Sequence, residues 1–166
     1  MGARGLNVAE EAHVVSILSP GSLSGGETST YFNLKTAYKA NIIVQLGALA
    51  AAPGALTLLA AADNTGTGAT AIPFTYYTKS TAGDSNDTLD LNVGASPAFA
   101  ATAAGFVPAN AANSFAILVV NADQLPSGLP YVALAFADGT NVDFVSAVAI
   151  LTGLSYPGPQ QPSATL

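Results

Sequence analysis

The sequence predicts an all-β chain folded as a single-domain antiparallel sandwich, with an extended arm at each end. Three observations lead there. Short runs of β-branched and aromatic residues recur between clusters of Gly, Pro, Ser, Asn and Asp, at the spacing of sandwiches and barrels. Several of these runs alternate large and polar residues with the two-residue period of a half-buried strand. No stretch shows the periodicity of a long amphipathic helix.

In chain order, 12–18 (AHVVSIL) reads as a strand ending at Pro20-Gly21-Ser22, and 28–34 (TSTYFNL) as a second. At 41–47, Ile42, Val44 and Leu46 share one face, while Asn41, Ile43 and Gln45 share the other. The run at 55–62 follows a Pro53-Gly54 turn, and its Ala and Leu content leaves a helix open. It ends at the loop 63–68 (DNTGTG), rich in residues that tolerate positive φ or bond locally. In 71–79 (AIPFTYYTK), Ile72, Phe74 and Tyr76 oppose Pro73, Thr75, Tyr77 and Lys79, and Pro73 marks an edge or a strand start. Residues 88–93 (TLDLNV) alternate between Leu89, Leu91, Val93 and polar partners. The Ala-rich 95–113 is broken by Pro97, Gly105 and Pro108, so it reads as an irregular connection with one short strand near Phe106.

The last third is the most β-like: 114–121, 131–137 and 143–151. Their near-continuous apolarity predicts burial on both faces. Asp138-Gly139 predicts a hairpin between the last two, because glycine supplies the positive φ of a tight turn. Asp123 to Gly128 reads as a turn or one helical turn. About nine strands in 166 residues point to a jelly-roll-like sandwich, with an immunoglobulin-like sandwich as the alternative. The domain layout is then an arm at 1–11, the sandwich at 12–156, and a proline-rich arm at 157–166 (PGPQQPSATL) that is extended or polyproline-like.

Composition narrows the function classes. Hydrophobic residues make up 50% and charged residues only 8%, against about 25% charged in ordinary soluble proteins. A surface with so few charges is poorly protected against association, so much of it is expected to be covered by partners. The net charge is −6, and the four basic residues, Arg4, Lys35, Lys39 and Lys79, are scattered. No basic stripe exists to neutralise phosphates, so direct nucleic-acid binding is disfavoured. The lack of cysteine excludes disulfides, thiolate metal sites and thiol nucleophiles. Three charge-free stretches, 40–62, 91–122 and 144–166, are long enough to span a bilayer, yet each carries Pro breaks and most carry Asn or Gln. No membrane partner is expected. Glu10 and Glu11 precede the first apolar run, so no signal peptide is expected either.

Candidate chemistry is thin. His13 is the single histidine, and on a strand between Ala12 and Val14 it reads as a structural or surface residue rather than a general base. No serine sits in a nucleophile elbow. Asp84, Asp87 and Asp90, with Asn86 and Asn92, form the one acidic cluster, and such hard oxygen ligands suit calcium. Their spacing matches no EF-hand loop and Asp90 lies in an alternating strand, so a solvated loop is expected, with no metal and no cofactor. The loop 63–70 (DNTGTGAT) has the glycines of a phosphate cradle, but no Lys follows and no helix begins there. A plain turn is expected. Tyr76 and Tyr77 offer sugar-stacking rings, yet alternation sends them to opposite faces, and one belongs to the core. The chain reads as a non-enzyme.

Taken together, AHVVSILSPGSLSGGETSTYFNLKTAYKANIIVQLGA, AIPFTYYTKSTAGD, NADQLPSGLPYVALAF and SAVAILTGLSYPGPQQPSATL resemble the head decoration, or capsid cement, proteins of tailed bacteriophages. The resemblance covers most of the chain and rests on pattern rather than on an invariant motif. It implies a jelly-roll-like homo-oligomer, a trimer or a dimer, that clamps neighbouring major capsid protein subunits on the outer surface of the virion head after assembly in the host cytoplasm. It implies no enzymatic activity. Because the arms lack self-contained structure, Arg4, Leu6 and Val8 and, at the other end, Tyr156, Pro157, Pro159, Gln160, Gln161 and Pro162 are the expected neighbour contacts. The rival reading is a carbohydrate-binding or host-attachment module on a virion or cell surface, since jelly rolls also serve as lectins.

Overall fold

Alternation along the strands is what the fold is built on, and two antiparallel sheets face each other through their apolar sides. A computed structural model describes residues 7–23, 25–49, 54–78, 99–108, 114–137, 143–155 and 163–165. In chain order the strands are β1 (His13–Leu23), β2 (Glu27–Thr28), β3 (Phe32–Asn33), β4 (Lys39–Leu49), β5 (Leu56–Ala61), β6 (Thr70–Ile72), β7 (Phe74–Tyr77), β8 (Phe99–Ala101), β9 (Ser114–Asn121), β10 (Tyr131–Phe136) and β11 (Asp143–Thr152). One sheet has the order β1-β11-β4-β9-β7-β8 and the other β2-β10-β5-β6, with β3 also on β10. Neighbours in each sheet are mostly far apart in sequence. The two four-strand sets β1-β11-β4-β9 and β2/β3-β10-β5-β6 have the interleaved order of a jelly roll, with the β7–β8 pair added beside β9.

The core forms where the inward faces meet. Ile42, Val44 and Leu46 of β4, Leu118 and Val120 of β9, and Ala149 and Leu151 of β11 lie opposite Leu56 and Leu58 of β5 and Val132 and Leu134 of β10, all essentially inaccessible. Phe32 and Leu34 close one end. The aromatic side is a cluster in which Tyr76 stacks on Phe106 at 3.9 Å between centroids, with Phe74 edge-on to Phe106. A buried hydroxyl anchors the β2–β3 connection to β10: Ser29 Oγ accepts from the Leu134 N–H at 3.0 Å and donates to the Thr30 carbonyl at 3.2 Å.

Several local expectations hold. The strands at 41–47, 114–121, 131–137 and 143–151 are present as β4, β9, β10 and β11. Residues 55–62 form strand β5 rather than a helix, because β10 and β6 pair with it on both sides and override Ala and Leu propensity. Residues 122–124 form a single 3₁₀ turn, whose entrance is closed by the Asn121 N–H donating to Gln124 Oε1 at 2.9 Å. The short strand expected near Phe106 lies instead at Phe99–Ala101 (β8), while Phe106 makes an isolated bridge with Leu56, both N–H groups donating across the pair at 2.8 and 3.1 Å.

Several expectations are corrected. First, Asp138-Gly139 does not close a hairpin: β10 pairs with β5, β2 and β3, while β11 pairs with β1 and β4 in the other sheet. Residues 138–142 themselves lie outside the described residues. Second, Pro20-Gly21 does not end the first strand. β1 runs to Leu23 with register shifts after Ser16 and after Leu18, and as the outermost strand of its sheet it tolerates a residue with no N–H. Third, 71–79 is not one strand in one sheet. The chain crosses at Pro73 from β6 in one sheet to β7 in the other, and the missing N–H of Pro73 costs no ladder bond at this corner.

Fourth, β9 and β11 are not buried on both faces. Each alternates strictly, with Ile117, Val119, Val148 and Ile150 half-exposed on the outward side. Only β10 comes near the expectation, with Val132, Ala133 and Leu134 all buried. At the N-terminus, where an extended arm was expected at 1–11, Val8–Glu11 form one helical turn. Asn7 before it is a residue type favoured at a helix start, and Ala and Glu favour the turn itself. The 88–93 strand lies outside the described residues.

Candidate interaction surface

The outward side of the six-stranded sheet is the feature that composition alone pointed toward without locating. Ladder registers place its side chains in rows. One row runs Val14, Ile150, Asn41, Val119, Thr75 and Ala100. The next runs Ser16, Val148, Ile43, Ile117 and Tyr77, and a third runs Ser146, Gln45 and Phe115. The three rows hold no charged residue. Lys39 lies in the terminal row beside Thr152 and Asn121. Val14 is 48% exposed and Phe144, one step beyond the third row on β11, 53% exposed, while Ile43, Phe115, Ile117, Val119, Val148 and Ile150 are partly exposed. An exposed, charge-free face with this many large apolar side chains is a candidate interaction surface.

The sheet edges are treated differently. β1 is interrupted by Pro20 and by two register shifts, while β2, β6 and β8, at the other edges, are two or three residues long. These are the devices that stop strands from recruiting further strands.

At one end of the face a groove of about 490 Å³ is lined by Pro20, Gly21, Gln45, Gly47, Phe144 and Ser146, among others. Gly47 sits tightly beside it: a Cβ there would meet the Phe144 Cβ at 3.0 Å. Phe144 is thus a projecting ring next to a hollow.

The expected neighbour contacts divide. Val8 lies in the helical turn, 37% exposed, while Arg4, Leu6, Tyr156, Pro157, Pro159, Gln160, Gln161 and Pro162 lie outside the described residues. Beyond them, Ala164 is buried against the sandwich and its carbonyl accepts from the Asn33 N–H at 2.7 Å. The final described residues of the expected C-terminal arm therefore pack on their own domain.

The chain matches no family model, no curated protein and no solved structure.

Asp84, Asp87 and Asp90 lie outside the described residues, and among the described ones no three His, Cys, Asp or Glu gather. His13 is half-buried, its Nδ1 enclosed without a hydrogen-bond partner. A second groove, of about 460 Å³, has Lys35 as its sole charged lining residue among Leu34, Leu125, Leu129 and their neighbours. Tyr76 packs against the core and spends its ring face on Phe106, while Tyr77 turns outward beside Ile117. The loop after β5 is a turn organised by a carboxylate: Asp63 Oδ1 accepts from the Thr65 and Thr67 N–H groups, each at 3.0 Å, and from the Thr65 hydroxyl at 2.7 Å. Those N–H groups are already used, and a carboxylate stands where an anion would sit. The hydroxyl and N–H of Thr67, with those of Thr65, hold the Asp63 carboxyl well below the usual aspartate range. Nearby, burial and the Asp63 charge together push the Tyr31 phenol up.

Sequence reasoning missed the outward face because the near-continuous apolar residues of β9 and β11 imitate a doubly covered strand. The usable signal was the absence of charge from both parities of β4, β9 and β11 apart from their ends. No helix in the described residues is long and apolar enough to cross a membrane.

Proposed function

We propose that this chain is a structural protein of a virus particle, of the head decoration kind found on tailed bacteriophages, which assembles by burying the outward face of its six-stranded sheet and clamps neighbouring major capsid protein subunits. The observation that carries this reading is the charge-free apolar face on a sandwich whose edges are blunted. Such a design associates through broad packing rather than through strand addition or charge pairing. The low total charge and the resemblance to decoration proteins support the same reading.

The test is to add the purified chain to heads assembled from the cognate major capsid protein without it. Saturable binding, regular density on the outer surface by electron cryomicroscopy, and raised thermal stability of the heads are the expected results. Heads that stay bare reject the proposal. Saturable glycan binding in their absence would favour host attachment instead.

A further inference from the structure

We infer that the occupant of the outward face is a second copy of this chain, packed about a two-fold axis so that Phe144 of each copy enters the groove beside Phe144 of the other. This rests on the reading of that face as the assembly surface, and it names the partner there.

Size comes first. A sheet six strands wide whose strand β9 has 8 residues presents about 600 Å² at about 4.8 Å between strands and 3.4 Å per residue. Two such faces reach the roughly 1,200 Å² at which stable pairs begin.

Charge comes second. Across a two-fold axis every group meets a surface identical to its own, so any central charge lies near a like charge. A face with Val148, Ile150, Ile43, Ile117 and Val119 on its inner strands, Val14 on the edge strand β1 and Lys39 only in its terminal row meets that condition. A charged partner would find nothing complementary on it.

Shape is the third argument. Phe144 is an exposed aromatic ring, and the groove of about 490 Å³ beside it combines small or backbone-rich walls at Gly21 and Gly47 with the polar ends of Gln45 and Ser146. Knob and hollow on one patch are self-complementary, and an aromatic seated in a desolvated pocket is the usual centre of binding energy. In that arrangement the two grooves lie side by side, which brings Gln45 within reach of the Gln45 of the second copy.

Two measurements on the purified chain test this. Sedimentation should show a pair at micromolar concentration, and Ile43→Lys should weaken pairing by about 30-fold or more, a hot-spot loss, with an unchanged circular-dichroism spectrum. Because the chain has no cysteine, Gln45→Cys adds one thiol. A short bis-maleimide should couple it to its mate, while Ser127→Cys, exposed on a distant turn, should stay uncoupled. If Ile43→Lys fails to fold, the Gln45→Cys result decides. A monomeric wild type, or a pair in which Gln45→Cys does not couple, overturns the inference. Head binding measured in parallel separates the two proposals: a coupled pair that ignores heads rejects the capsid role alone, and a monomer that coats heads rejects the pair alone.

Discussion

The N–H of Asn33 in β3 donates to the carbonyl of Ala164 at 2.7 Å, so residues separated by most of the chain close one end of the sandwich. Ala164 is buried there, and Asn64 Nδ2 donates to the Thr165 carbonyl at 3.2 Å. Deleting 163–166 would leave the Asn33 N–H without its acceptor and open apolar surface around β3. The expected loss is about 1–3 kcal/mol, read as a lower urea midpoint at unchanged slope. An unaltered midpoint would show that the tail contributes nothing to the fold.

Asp63 predicts an acid-dependent step. Its folded-state pKa is depressed by donors from Thr67 and Thr65, so its contribution is present above the ordinary aspartate value, near pH 4. It is lost as the pH falls from there toward the folded value. Asp63→Asn should therefore lower stability at neutral pH, and the gap between variant and wild type should narrow as the pH drops below about 4. A gap independent of pH across that window would mean that the carboxylate charge does not organise the loop.

Ile42 and Ile43 test the parity of β4. Ile42 is fully buried between the sheets, whereas Ile43 sits outward between Val148 and Ile117. Ile42→Ala should cost about 2–5 kcal/mol. Ile43→Ala should cost about 1 kcal/mol or less in the dilute chain, with its main effect on association. Equal losses from thermal unfolding at low concentration would contradict the assigned faces.

Much of this was legible beforehand because it is local. Ile42, Val44 and Leu46 are inward as alternation requires, the Asp63 loop is a turn, and the 3₁₀ turn at Ala122–Gln124 falls where a turn was expected. Each follows from side-chain geometry over a few residues. The candidate surface was legible only as a deficit of charge, since composition says that a surface is adhesive without saying where.

What the sequence by itself determined is where most of the longer strands run, the buried parity of β4 and the scarcity of charge, all properties of neighbouring residues. Only the tertiary structure decided which strands meet. A Gly after Asp138 favours a tight turn, yet the pairings of β10 and β11 with strands more distant in sequence place them in opposite sheets. Likewise Pro20 lies inside β1 because that strand is an edge, and Pro73 marks the crossing between sheets. The outward rows of Ile43, Ile117 and Val148 exist because the second sheet covers one face of the first and leaves the other open. Alternation tells the two faces of a strand apart, but long-range pairing selects the strand's neighbours and the face left to a partner.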